Sequence, residues 1–381
     1  MNQAPTSSCR NPMSCLKCKW LVSICLGLIV LILSEARPGS TQTDREHLQQ
    51  IAPLANRPGR LDPELRNRFL TDYGAARTGE KRAVFRRYLS ALGADGILDA
   101  LEGRNAFCHS EAHDLGKEIF AQVRELGPAV QLCGNRCTSG CMHGIMMEVV
   151  VGGTGHENPG HHLTLAEVKP KMKAICEDKL LTDAYQPGNC AHGVGHAILI
   201  LSGYDLGEAL KHCAAFESAP LTHYCATGVF MEDAIKAGTH DRNSGSPHYP
   251  CDTYVQFPAA CYKYTIGSLL AKHKGAIASV AEECLGLEAP QRRGCFYGLG
   301  SAHTALLSKQ PDRLAAICGF GDAQDQAMCI NGGIEILSDY HREAALTACG
   351  TLAGDNAAVC WAASRNGRYG SGKTFTLYYR Q

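Results

Sequence analysis

The sequence predicts an all-α protein, a solenoid of α/α helical hairpins stapled by disulfides. Three observations carry this. A Cys followed two or three residues later by Gly recurs with a spacing near 34–36 residues. Apolar residues recur at helical spacing between these marks. Aromatic residues are few, at 7% of 381 positions, where a β-sandwich draws on more aromatic and β-branched side chains.

The chain opens with a targeting segment. Residues 1–19 carry Arg10, Lys17 and Lys19 and no acid, and residues 20–34 read WLVSICLGLIVLILS. The apolar run falls short of the ~20 residues of a membrane-spanning helix, which favours a cleaved signal peptide over residues 1–36. An uncleaved anchor through residues 20–34 stays open, because the basic flank obeys the positive-inside rule. Either way the remainder is expected in an oxidising, extracytoplasmic compartment: periplasmic, lumenal or extracellular. Residues 37–80, broken by Pro38, Pro53, Pro58 and Pro63, read as a polar linker with at most one short helix. The folded body is expected from residue 81, where Val84, Phe85, Tyr88, Leu89 and Leu92 fall on one helical face.

The repeat is marked by Cys141 (CMHG), Cys190 (CAHG), Cys225 (CATG), Cys295 (CFYG) and Cys329 (CING), with Cys261 and Cys360 filling the series. Each Cys from 190 onward has a partner 10 to 14 residues upstream. The expected bridges are Cys176–Cys190, Cys213–Cys225, Cys251–Cys261, Cys284–Cys295, Cys318–Cys329 and Cys349–Cys360. The upstream Cys usually ends one apolar run and the downstream Cys starts the next, so each bridge joins two helices. Closing loops this short contributes about 3 kcal/mol each in the chain-entropy model. Cys108, Cys133, Cys137 and Cys141 remain, with three connectivities open. Paired CxxC knuckles are absent, which argues against zinc-thiolate sites.

The period, the two Cys per unit and the Gly after the second Cys, as in CINGGIEIL, resemble the cysteine-bridged α/α repeats of the Sel1-like class, relatives of tetratricopeptide repeats. The resemblance covers roughly residues 165–365 and lacks the usual LG…Y consensus. It implies a hairpin architecture and a binding scaffold, and carries no functional residues across. The repeat domain is thus read as residues 81–365, with a tail over 366–381.

The chemistry-bearing residues crowd into the N-terminal repeats. His109 and His113 form one His-x3-His motif, His192 and His196 another. On a helix, residues four apart share a face, ~5–6 Å apart, and two such imidazoles can hold one metal. Neither motif is HExxH, so the metalloprotease reading fails at its general base. Aligning the repeats on the second Cys places His143, His192, Thr227, Lys263, Tyr297 and Asn331 two residues after it. Glu148, His196, Glu232, His303 and Glu335 come six to eight after it. Equivalent positions stack in a solenoid, so these residues are expected to line one polar stripe. His109, His113, His143, His192 and His196 are the candidate ligands for zinc, iron or copper, with Glu148 and Glu232 as further ligands or general bases. Met146, Met147 and Met231 favour copper if they face inward. His156, His161 and His162 sit on a Gly-rich loop, as further ligands, a lid or plain surface.

The leading expectation is an extracytoplasmic metal-binding repeat protein, a metal-dependent enzyme being one form of it. The alternatives are a scaffold binding a peptide, glycan or partner protein on its concave face, and a metal storage or delivery protein. Lys plus Arg and Asp plus Glu both number 37, so charge gives no case for nucleic acid. Residues 367–374 match the P-loop pattern literally, but follow a helical repeat rather than a strand, which excludes that reading.

Overall fold

The computed structural model describes residues 62–105, 107–134, 136–152, 164–176, 187–237 and 245–366. All belong to the unit spanning residues 53–381. The apolar run at 20–34, the loop residues His156, His161 and His162, and the tail from 367 lie outside the described residues. Among the described residues there is no strand, and no helix is long and apolar enough to cross a membrane.

The body begins one helix earlier than the prolines suggested. Helix α1 (Pro63–Ala75) starts with Pro63 at its first position, where the missing N–H is not needed, and Asp62 caps it by accepting from the Glu64 N–H. Its Phe69 and Tyr73 are buried against Phe85 of α2 (Lys81–Arg104), with ring centroids 6.1 and 5.2 Å away. A proline read as a linker signal is here a helix starter.

Next come α3 (His109–Val123) and α4 (Gly140–Met147). Four pairs follow, each a short helix leading into a longer one or closing the array. They are α5 (Leu165–Cys176) with α6 (Pro187–Leu201), α7 (Leu206–Cys213) with α8 (Ala219–Ala237), α10 (Ile277–Leu285) with α11 (Ala289–Ala302), and α13 (Arg342–Gly350) with α14 (Gly354–Asn366). Helices α9 (Pro258–Lys272) and α12 (Ala323–Tyr340) are preceded by turns and single helical turns. The longer helices form a continuous inner layer, α3–α4–α6–α8–α9–α11–α12–α14, each packing on the next.

All six expected pairs are at disulfide distance. The four remaining cysteines pair as Cys108–Cys137 and Cys133–Cys141. Cys176 and Cys213 are the last residues of their helices, as expected, whereas Cys251 lies in a turn. So many paired cysteines fit an oxidising, extracytoplasmic compartment.

The Gly of the repeat mark sets the spacing of the inner layer. A Cβ on Gly144 would lie 2.0 Å from the carbonyl oxygen of His113, and one on Gly228 would lie 1.9 Å from that of His192. Only a residue without a Cβ lets neighbouring backbones approach this closely. The array also curves back on itself. At the end of α12 the Tyr340 hydroxyl is 2.9 Å from Ser139 Oγ, and the adjacent His341 ring lies 5.9 Å from that of Phe107.

Candidate metal centre

Five histidines converge on the inner layer: His109 and His113 from α3, His143 from α4, His192 and His196 from α6. All five are buried, none more than 6% exposed. Their imidazoles close a ring. Taken in the order His109, His113, His196, His192, His143 and back, consecutive centroids are 4.7, 4.8, 4.8, 4.7 and 4.9 Å apart. Ring nitrogens of His109, His113, His143 and His196 all lie within 4.8 Å of one another. His192 stands outside that group of four but beside it, its Nε2 3.1 Å from His196 Nε2.

The outward nitrogen of four of these rings is held by a hydrogen bond, and in each case the partner's chemistry fixes the direction. The Thr138 carbonyl accepts from His109 Nδ1–H at 3.1 Å, with Thr138 Oγ1 at 2.8 Å. Asn189 Oδ1 accepts from His143 Nε2–H. The Thr227 hydroxyl donates to the Tyr224 carbonyl at 2.6 Å, so its oxygen accepts from His192 Nδ1–H at 2.7 Å. Glu232 accepts from His196 Nδ1–H at 3.0 Å. Burial pushes the Glu232 carboxyl up, but the hydrogen bond from His196, with the charges of Lys117 and Lys236, brings it below its ordinary value, so it is ionised.

Consequently the inward nitrogens carry lone pairs. His143 Nδ1 faces His109 Nε2 at 3.2 Å, and His196 Nε2 faces His192 Nε2 at 3.1 Å. Two acceptors at this separation repel unless a cation lies between them. The edge of a tetrahedral site with metal–nitrogen bonds of ~2.0–2.1 Å is about 3.3 Å, close to both separations. His113 Nε2 is buried with no hydrogen-bond partner. Burial first, then the neighbouring His109, His196 and His143, hold the pKa of His113 well below its ordinary value, so it too offers a lone pair. Neutral imidazoles oriented by outer hydrogen bonds are the arrangement of metal-ligating histidines, and the donor set fits a transition ion.

The turn that orients His109 is conformationally costly. Cys137, Thr138 and Ser139 all have positive φ (50°, 50° and 64°), a region that β-branched residues avoid. It is held by the Cys108–Cys137 pairing, by Glu102 Oε1 accepting from the Cys137 N–H at 2.6 Å, and by Arg136, which pairs with Asp95, Asp99 and Glu102.

Of the residues singled out from sequence, the five histidines are brought together. The two acids are placed otherwise than as inner ligands or bases. Glu232 stands behind His196, and Glu148 forms an ion pair with Arg82 at 3.4 Å, outside the grouped ligands. Met146 Sδ lies 3.8 Å from Sγ of Cys190, against the Cys176–Cys190 pairing. His303 bonds the Leu299 carbonyl at the end of α11. Thr138 and Asn189 were not read from sequence; nothing in their local pattern distinguishes them. Thr227 was placed on the stripe by register alone.

The chain matches no family model, and no curated protein or solved structure matches it.

Proposed function

We propose that this is an exported metalloprotein that holds a transition-metal ion among the imidazoles of His109, His113, His143 and His196, with His192 as a fifth beside them. The observation that supports it most is the convergence of lone pairs. Four inward nitrogens have their opposite N–H groups committed outward, and the fifth ring has a buried nitrogen with no partner. Without thiolate or carboxylate in the inner group, the set suits zinc or copper better than magnesium or calcium. Glu232 raises the basicity of His196 as a carboxylate behind a ligating imidazole does.

The test is elemental analysis of the full chain purified without chelator or polyhistidine tag, beside a His192→Ala/His196→Ala variant. Stoichiometric metal in the wild type and its loss in the variant is the expected result. A folded wild type that holds no metal and takes up neither added zinc nor copper would overturn the reading. A second reading, a ligand-binding scaffold, draws support from the polar inner positions that continue past the histidines through Lys263 and Glu335.

A further inference from the structure

The register that supplies imidazoles in the N-terminal repeats supplies an ion pair further along. Lys263 stands two residues after Cys261, as His143 and His192 stand after Cys141 and Cys190. Glu335 stands six after Cys329, as His196 stands six after Cys190. Lys263 Nζ meets Glu335 Oε2 at 3.1 Å, reaching from α9 past α11 to α12, and the two side chains are 2% and 10% exposed.

On the Lys263 side this pair is incompletely built. An ammonium has three donors. Glu335 satisfies one, and no second acceptor reaches Lys263 among the described residues. Two tyrosine rings flank Nζ, Tyr297 at 5.8 Å and Tyr264 at 6.0 Å, and the buried imidazole of His223 is close enough to feel its charge. A buried ion pair is in general no more stabilising than well-packed apolar side chains, and leaving charged donors unmet costs more still. The arrangement is therefore poor as a strut between helices. It becomes favourable when an anion supplies the missing acceptors. Tyr264 links this position to the metal centre, its ring 6.4 Å from that of His192.

We infer that Lys263, flanked by Tyr264 and Tyr297 and steadied by Glu335, is the anchor of a binding site for a small carboxylate ligand on the inner face, beside the histidine cluster. Lys263 is the recognising charge. Glu335 keeps the ammonium in place while the site is empty and discriminates against dianions through its own charge.

The probe is acetate, observed by saturation-transfer NMR on the full chain, with methylammonium as the cationic control. Saturation transfer to acetate and none to methylammonium is expected. A Lys263→Met/Glu335→Gln variant, which removes both charges together and leaves neither buried alone, is expected to bind acetate at least tenfold more weakly with unchanged helical circular dichroism. Lys263→Arg, which keeps the charge, is expected to remain within a few-fold of the wild type. No transfer to acetate in the wild type, equal binding by the neutral variant, or preference for methylammonium would each overturn the assignment. The measurement is repeated on chelator-treated protein, so that acetate binding there stands even if the metal reading fails, and its absence with metal retained sinks this inference alone.

Discussion

At the scale of single residues, the centre depends on what stands behind the histidines. Glu232 is the one anionic partner among the four outer groups, so Glu232→Gln keeps a hydrogen-bonding side chain but removes the charge. Metal affinity is expected to fall about 10–100-fold, read by competition with a chromophoric chelator. An unchanged affinity would show that the Glu232 charge does not act on the centre through His196.

Buried neutral histidines also set a pH dependence. Burial, and secondarily the Lys263 charge, push His223 down from 6.5 to about 3, and His113 is shifted the same way. For a group with a depressed histidine pKa, the unfolded chain binds the proton first. Stability is therefore full above about 6.5 and falls as pH drops towards 3, by at most ~1.4 kcal/mol per pH unit for each such group. Glu118 acts in a lower window. Burial raises its carboxyl, hydrogen bonds from Arg86 and Gln122 outweigh this, and its contribution is lost only below the ordinary carboxylate range. Urea unfolding of metal-free protein at pH 7.5 and 5.5 is expected to show a clear loss at the lower pH. A flat profile would mean that these rings protonate within the fold.

At the scale of elements, the helix contacts decide whether five rings can meet. Gly228 lies where α8 crosses the His192 carbonyl, and α8 also carries Thr227 and Glu232. Gly228→Ala forces the two helices apart. A cost of roughly 1–3 kcal/mol is expected, as for overpacked cores, with a fall in bound metal beyond what stability explains. Gly267, whose Cβ would meet nothing within 4 Å, is the control, and Gly267→Ala is expected to be neutral or slightly stabilising. Thermal melts and metal content of both variants check this.

At the scale of the whole molecule, the array is closed by contacts 201 residues apart in sequence, Ser139 with Tyr340. Ser139 belongs to the left-handed turn that holds His109, so ring closure and the histidine cluster share a segment. Tyr340→Phe is expected to cost about 1 kcal/mol and to couple non-additively with Ser139→Ala in a double-mutant cycle by denaturant unfolding. Additive losses would mean that the closure carries no energy.

How much of this was legible in the chain differs with scale for a physical reason. Cys spacing reports loops of 10 to 14 residues, and such local pairings need no knowledge of the fold; the six bridges from Cys176 to Cys360 could be read directly. Helical periodicity and repeat register likewise placed His143, His192 and His196 on one inner face, because equivalent positions of stacked units must stack. The start of the body was misread at Pro63 because a proline that opens a helix and one that breaks a chain look alike until the packing of Phe69 and Tyr73 is seen. The pairing of Cys108, Cys133, Cys137 and Cys141 was open because three arrangements fit one spacing. The roles of Thr138, Asn189 and Glu232 come from other elements, and which nitrogen faces inward depends on what each outer nitrogen touches. The sequence by itself determined the helical, bridged repeat and its cargo of histidines. Only the tertiary structure decided that the rings close around one point, that Glu148 pairs with Arg82, and that the array returns to its own beginning. Helix crossing angles and array curvature arise from side-chain and backbone contacts between segments, which no local pattern encodes.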